Sequence, residues 1–310
     1  MSVFLFPGQG ALKPGMGADL IDLPHVAHVA AAAREATGID VADLIASGDA
    51  ARLSETRASQ VVLSVVSIGL ARTLEEAGVA PEAYLGFSLG QVGALIAAGA
   101  LSLEDGFKVL DVRSRAMERA CLERPGAMLA LLGADLADAQ RVCDACAQGE
   151  VLVCANINAP GQIVISGDET AIERAQRSWK EAGHRCTRLA TVGAFHSPLM
   201  ASAAREVERV CREVAWNEPR VPVICNTDAR PFDVTCAPER MAAQVVSPVQ
   251  FVGGVEYLIS QGVDSFCEVG CARVLSGLVR RIAPDAARMC AGTAEELSRV
   301  LSDSKGDLDG

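Results

Sequence analysis

The pattern of apolar and polar positions alternates between two rhythms along the chain. Short unbroken apolar runs read as buried strands, and apolar residues recurring every three or four positions read as helices. Val3 to Phe6 predicts a strand that runs into the glycine-rich loop Pro7-Gly8-Gln9-Gly10. Val26 to Thr37 predicts a helix ending at Gly38, and Val41 to Ser47 and Ser59 to Gly78 predict more helix. Tyr84-Leu85 closes a short strand, and a very apolar helix from Val92 to Leu101 follows, closed by Gly99. Ser102-Leu103-Glu104-Asp105 has the form of a helix N-cap with an acidic third residue. In the helix it opens, Leu103, Phe107, Leu110, Ser114, Met117 and Cys121 form the inner face. Lys108, Arg115 and Arg119 point away from that face, whereas Arg113 falls at its edge.

From Gly126 to Leu189 the rhythm changes. Ala127–Leu132 reads as a strand, Asp135–Gln148 as a helix, and Val151–Ala155 and Gln162–Ser166 as strands flanking the loop Asn156 to Gly161. Glu169–Ala182 then reads as a helix and Cys186–Leu189 as a strand. The order βαββαβ is that of the ferredoxin-like unit. After it come a helix from Met200 to Val214, a strand from Val221 to Asn226 and helix from Met241 to Val246. Helix from Val255 to Gln261, a strand from Ser265 to Val269 and a helix from Ala272 to Ile282 complete the pattern. Strand–helix alternation predicts an α/β fold with a mainly parallel sheet. The expected organisation is a larger, discontinuous α/β-hydrolase-like catalytic domain, 1–125 and 192–301. A small ferredoxin-like domain, 126–191, is inserted in it, and 302–310 is an acidic disordered tail.

Composition narrows the function. The chain has 310 residues, half of them hydrophobic, enough for a large core and about two domains. A net charge of −11 and a pI near 4.9 argue against nucleic acid as the main partner. Eleven cysteines without a basic leader point to a reducing cytoplasm. The most apolar long stretch, Ala58 to Ala71, is shorter than the roughly 20 residues of a membrane span and reads as a buried helix. Cys143-x-x-Cys146 has no second pair at zinc-finger spacing and lies in a helical stretch, so no metal is expected. The expectation is a monomer with neither nucleic acid nor membrane as partner.

The chemistry concentrates at Gly86-x-Ser88-x-Gly90. This spacing is that of a nucleophile elbow, a sharp strand-to-helix turn that exposes a serine hydroxyl beside a helix N-terminus. Chance occurrence is a real alternative in a chain with 28 glycines. The first glycine loop fits neither nucleotide pattern: it lacks the Gly-Lys-Ser/Thr ending, and Lys13 stands where a dinucleotide site needs glycine. It can still aim N–H groups at an anion. Of four histidines, His25 and His28 belong to the first helix and His184 to a polar turn. His196, where the chain returns from the insert, remains as the base by elimination. Arg113 asks for an anion, either a substrate or a buried structural carboxylate.

With these residues in view, the chain resembles the malonyl-CoA:acyl carrier protein transacylases of fatty acid synthesis and the related acyltransferase domains of polyketide synthases. The markers run nearly end to end: Phe6-Pro7-Gly8-Gln9-Gly10, Gly86-Phe87-Ser88-Leu89-Gly90, Arg113, Asn156-x-Asn158-x-Pro160-Gly161-Gln162, Ala194-Phe195-His196-Ser197, Gln244 before Pro248-Val249-Gln250-Phe251, and Glu268-Val269-Gly270. The resemblance implies Ser88 as nucleophile and His196 as general base, then acid. It implies the backbone N–H groups of Gln9 and Leu89 as oxyanion hole, and the Gln244 main-chain carbonyl orienting the histidine. Arg113 would grip the malonyl carboxylate. No bound cofactor or metal is implied. The donor would be malonyl-CoA, a coenzyme A thioester, and the acceptor the phosphopantetheine thiol of acyl carrier protein.

A guanidinium matches a carboxylate bidentately, and an acetyl group would leave it unpaired. Phe195 resembles the pattern of malonyl-using polyketide domains. The chain departs from the family at Phe87 and Gln91, where histidine and glutamate are usual, and at Ala11-Leu12 in place of Ser-Gln. Alternatives within the same chemistry are the malonyl transferase subunit of malonate decarboxylase and a free-standing polyketide acyltransferase. Outside it stand a serine hydrolase and a non-catalytic module that kept the fold.

Overall fold

The computed structural model describes residues 2–11, 15–48, 50–190 and 193–306. Leu12, Lys13, Pro14, Val192 and the tail beyond Gly306 lie outside the described residues. Strand β1 (Ser2–Phe6) is followed by helices α1 (Pro24–Thr37), α2 (Val41–Ser47), α3 (Ala50–Ser54) and α4 (Thr56–Glu76). Next come β2 (Pro81–Gly86), α5 (Leu89–Ala97) and α6 (Leu103–Glu123). The middle of the chain forms β3 (Gly126–Leu132), α7 (Leu136–Ala147), β4 (Leu152–Ala159), β5 (Gln162–Asp168), α8 (Glu169–Glu181) and β6 (Arg185–Arg188). The remainder forms α9 (Ala201–Arg212), β7 (Val223–Ile224), α10 (Ala237–Val246), α11 (Phe251–Ser260), β8 (Ser265–Glu268), α12 (Val274–Ile282), β9 (Ala287–Cys290) and α13 (Ala294–Gly306).

The first sheet has five strands in the order β7-β2-β1-β8-β9, and its pairs are parallel. A parallel sheet is covered on both faces, so its strands are apolar throughout. Val3 to Phe6 shows this: all four are fully buried. Phe4 and Phe6 join a core with α1, α4, α5 and α6, and Val3 and Leu5 join one with α11 and α12. The apolar run read as a buried helix lies inside α4, where Gly69 packs so closely on α1 that a Cβ would stand 2.6 Å from the Val26 backbone. Among the described residues no helix is long and apolar enough to cross a membrane.

The second sheet is separate, with order β4-β5-β3-β6 and antiparallel pairs. Leu129 and Leu131 of β3 pack with Ile172 and Trp179 beneath α7 and α8. The alternate residues, Met128 and Ala130, belong instead to the large core, so this sheet turns its other face toward the first. An isolated bridge between Asn156 and Val249 joins the two halves.

Two expectations are corrected. The segment from Asn156 was read as loop, but β4 continues through Ala159 by means of two register shifts, the kind of bulge that lets a strand bend without ending. The tail was expected to be disordered from Ser302, yet α13 runs through Gly306. Buried Leu297 and Val300 anchor it, and Asp19 accepts the Ala294 N–H at 2.7 Å. Strand β9 was not anticipated. It is short and only partly buried, so its apolar pattern is weak.

Candidate active site

Sterics explain the Gly-x-Ser-x-Gly spacing. Ser88 sits between β2 and α5 at φ 53°, ψ −103°, a conformation unfavourable for a residue with a side chain. A Cβ on Gly86 would lie 2.1 Å from the backbone of Gly90 and Gln91, and one on Gly90 would lie 2.0 Å from Phe6 O. The elbow therefore requires both glycines. Asn226 Oδ1 accepts the Ser88 N–H at 2.8 Å, and Gln244 Nε2 donates to Ser88 O at 2.8 Å.

Ser88 Oγ lies 2.8 Å from His196 Nε2. On the ring's other side, Nδ1 faces two carbonyls, Gln244 O at 2.9 Å and Ser247 O at 3.1 Å. Carbonyls can only accept, so Nδ1 carries the proton and Nε2 is free to accept from the serine hydroxyl. His196 is buried and itself has a left-handed φ of 58°. Burial, reinforced by the Arg113 charge, lowers its pKa to about 4, against the pull of the two carbonyls. The ring is thus neutral at pH 7. Among the described residues no carboxylate is bonded to it.

Arg113 lies on α6 and is 1% exposed. Its guanidinium donates to Gln60 Oε1 at 3.0 Å, Ser88 Oγ at 3.2 Å and Gln244 Oε1 at 3.3 Å. Its Nε is buried without a partner. No acidic side chain pairs with it among the described residues, so the structural salt bridge allowed by the sequence is not there. Burial lowers its pKa to about 10, which leaves it charged at pH 7. A buried cation bonded only to neutral groups is expensive, and it points at the serine oxygen.

The N–H groups of Gln9 and Leu89 have no partner among the described residues. That of Leu89 is the first of α5, where free donors and the helix dipole favour negative charge. A cavity of about 430 Å³ opens over these groups. Gln9, Ser88, Arg113 and His196 line one side, Met128, Ala130 and Val164 of the antiparallel sheet another, and Leu275 and Leu278 of α12 a third. The arrangement can deprotonate a serine, stabilise an oxyanion and hold an anionic acyl group.

All the residues singled out in the sequence meet here: Ser88, His196, Arg113, Gln9, Leu89 and Gln244. The Gln244 side chain, beyond its carbonyl, binds both Arg113 and Ser88. Sequence reasoning missed Gln60 and Asn226. Gln60 had a signal, as the largest polar side chain in the apolar stretch Ala58 to Ala71; it is 1% exposed. The other histidines stand elsewhere. His25 pairs with Glu76 at 2.8 Å, His28 is exposed, and His184 stacks on Trp179. Cys143 and Cys146 are buried in the core beneath the antiparallel sheet, and no cluster of three metal-binding side chains occurs among the described residues. Of the departures from the family pattern, Phe87 packs edge-on against Phe251. Gln91 is fully buried and accepts the Asn226 N–H at 2.6 Å.

Fold and site together define an acyl transferase, and residues 3–289 match the family model of the acyl transferase domain. The malonyl CoA-acyl carrier protein transacylase of Escherichia coli K12 is 36% identical over 283 residues, 90% of this chain and 92% of the relative. The crystal structure of the malonyl-CoA:acyl carrier protein transacylase of Xanthomonas oryzae superposes with a TM-score of 0.94 at 36% identity, covering 97% of this chain and 98% of that one. A malonyl-transacylase solved in complex with its type II PKS acyl-carrier protein gives a TM-score of 0.93 at 32% identity, with 97% and 99% covered. The chain belongs to the malonyl-CoA:acyl carrier protein transacylase family.

Proposed function

We propose that the protein moves a malonyl group from coenzyme A to the phosphopantetheine thiol of acyl carrier protein, in fatty acid synthesis, through an acyl-enzyme on Ser88. The observation that carries this is the buried Arg113 guanidinium, which lacks any protein carboxylate among the described residues and lies 3.2 Å from Ser88 Oγ. A free malonyl carboxylate supplies the missing anion beside the reacting carbonyl, and a guanidinium matches a carboxylate in shape and charge.

In the first half-reaction Ser88 Oγ attacks the thioester carbonyl while His196 Nε2 takes its proton. The N–H groups of Gln9 and Leu89 hold the tetrahedral oxyanion. Collapse breaks the carbon–sulfur bond, and His196 returns the proton to the departing coenzyme A sulfur. The second half-reaction reverses these steps with the carrier thiol as nucleophile. The Gln244 and Ser247 carbonyls take the place of an acidic third member, stabilising the imidazolium by dipoles alone. One thioester replaces another, so no metal or energy source is needed. A polyketide pathway is the second reading, favoured by the likeness to the transacylase solved with its type II PKS carrier.

The finer architecture belongs to the same proposal. The elbow on a parallel sheet supports an α/β-hydrolase-like domain formed by 1–125 and 192–301. The strand order β4-β5-β3-β6 supports reading 126–191 as an inserted ferredoxin-like unit. Eleven free cysteines favour a reducing compartment such as the cytoplasm.

Intact-protein mass spectrometry after mixing with malonyl-CoA tests the reaction. A malonyl adduct is expected on Ser88, removed when holo acyl carrier protein is added, and absent in Ser88→Ala. An adduct that persists in Ser88→Ala, or one that the carrier never accepts, would overturn the assignment.

A further inference from the structure

We propose that Asn226 is a positioning residue for the nucleophile, its carboxamide holding the strained turn at Ser88 on the β7 side of β2, where that ladder stops while the β1 side runs on to the Phe87 N–H. The inference rests on the reading of Ser88 as the nucleophile. Strand β7 pairs with β2 only at Tyr84 and Leu85, so the ladder ends one residue before the elbow. Past that point the Asn226 side chain takes over. Its Nδ2 donates to Gly86 O at 2.7 Å, and its Oδ1 accepts the Ser88 N–H at 2.8 Å. A carboxamide offers a donor and an acceptor in one plane, as a peptide group does. It therefore pins both peptide groups that flank Phe87 and with them the positive φ of Ser88.

Asn226 is itself held on every side and is 1% exposed. Its main-chain N–H donates to Gln91 Oε1 at 2.6 Å, and its carbonyl accepts the Gln250 N–H at 2.8 Å. Gln91 lies on α5 just after the serine, so the bonds close a ring: serine to asparagine to glutamine and back to the serine's own helix. Gln91 is one of the departures from the family pattern, and its amide nitrogen donates to Met241 Sδ at 3.8 Å. The brace is therefore neutral throughout. It also occupies the Ser88 N–H, which leaves the Leu89 N–H as the first helix donor available to an oxyanion.

The orientation of the carboxamide makes the prediction sharp. Asn226→Asp is nearly isosteric but sets an oxygen against Gly86 O, whereas Asn226→Ala only removes the side chain's bonds, these two and the one accepted from Gln244 Nε2 at 3.5 Å. If Asn226 were merely packing, the isosteric change would be tolerated better than alanine. A displaced nucleophile costs on the order of 100-fold in rate. The test is the rate of malonyl-enzyme formation, by rapid quench and intact mass, with malonyl-CoA affinity measured in a Ser88→Ala background. Asn226→Asp is expected to slow acylation about 100-fold, at least as much as alanine does, with affinity unchanged. Should neither variant fold, Gln91→Leu, which frees only the Asn226 N–H, is expected to slow acylation less but in the same direction. An Asn226→Asp enzyme that acylates at the normal rate, or loses affinity and rate equally, overturns the proposal, as does a normal rate in Gln91→Leu. Failure of the wild-type protein to form any malonyl adduct would instead overturn the function assigned to Ser88.

Discussion

Arg113 is the residue whose chemistry depends most on what does not surround it. Its place at the edge of an apolar stripe was legible in the sequence, but two opposite readings shared that position: a structural ion pair and a substrate clamp. The ion pair is not found among the described residues, where Gln60 and Gln244 meet the guanidinium with neutral oxygens; the clamp is the reading proposed above. A charge-assisted hydrogen bond contributes about 1.5–3 kcal/mol. Arg113→Gln should therefore slow acylation by malonyl-CoA about 10- to 100-fold and leave acetyl-CoA much less affected. Competition between the two thioesters, read as the adduct ratio by mass spectrometry, checks this, and an unchanged ratio would place the clamp elsewhere. Gln60 was visible as the largest polar side chain in an apolar stretch. Asn226 was not, because it was read as the last residue of the strand from Val221, and a single asparagine at a strand end has no pattern that marks it.

At the scale of elements, local chemistry accounts for most of the boundaries. Ser102 accepts the Asp105 N–H at 3.0 Å, as the N-cap pattern predicted. Helix α12 is different, because its cap comes from the end of the preceding strand, six residues before the helix starts. Its preceding residue, Arg273, is left-handed and gives no side-chain cap. Instead the fully buried carboxylate of Glu268 on β8 accepts from the N–H groups of Val274 at 3.0 Å and Ser276 at 2.8 Å, and from the Ser276 hydroxyl. This helix carries Leu275 and Leu278 into the cavity wall, so Glu268 connects the sheet to the substrate space. Glu268→Leu should destabilise the protein by about 1–3 kcal/mol through the unpaired helix N–H groups and speed amide hydrogen exchange at the start of α12. Normal protection of the Val274 and Ser276 amides would show the cap to be dispensable. The continuation of β4 was misjudged because a bulge leaves no periodic trace in the sequence; α13 does carry one, Leu297, Val300 and Leu301 at helical spacing, but it is short and its end is polar.

The whole molecule sets His196. The ring is buried between the return from the antiparallel sheet and the end of α10, and its neutrality is a tertiary property. Its pKa falls from 6.5 to about 4 on folding. Between those values the unfolded chain takes up a proton that the folded protein refuses. The folded state therefore loses stability as pH falls from 6.5 to 4, by about 3 kcal/mol from this one group. Urea unfolding at pH 7 and near pH 4 should show that His196→Gln loses less stability on acidification than the wild type does. Equal losses would mean the histidine is protonated in the folded protein.

The sequence by itself determined the glycine elbow, the nucleophile and base candidates, the alternation of strand and helix, and the break in rhythm at Gly126. These follow from short-range sterics and apolar periodicity, which act within a few residues. Only the tertiary structure decided that Arg113 has no internal counter-ion among the described residues, that two carbonyls stand where an acidic partner is often found, and that Asn226 and Glu268 support the site from other elements. Those outcomes depend on which polar groups meet once the chain is closed. Burial raises the energetic consequence of each such meeting, and no local pattern specifies the partners.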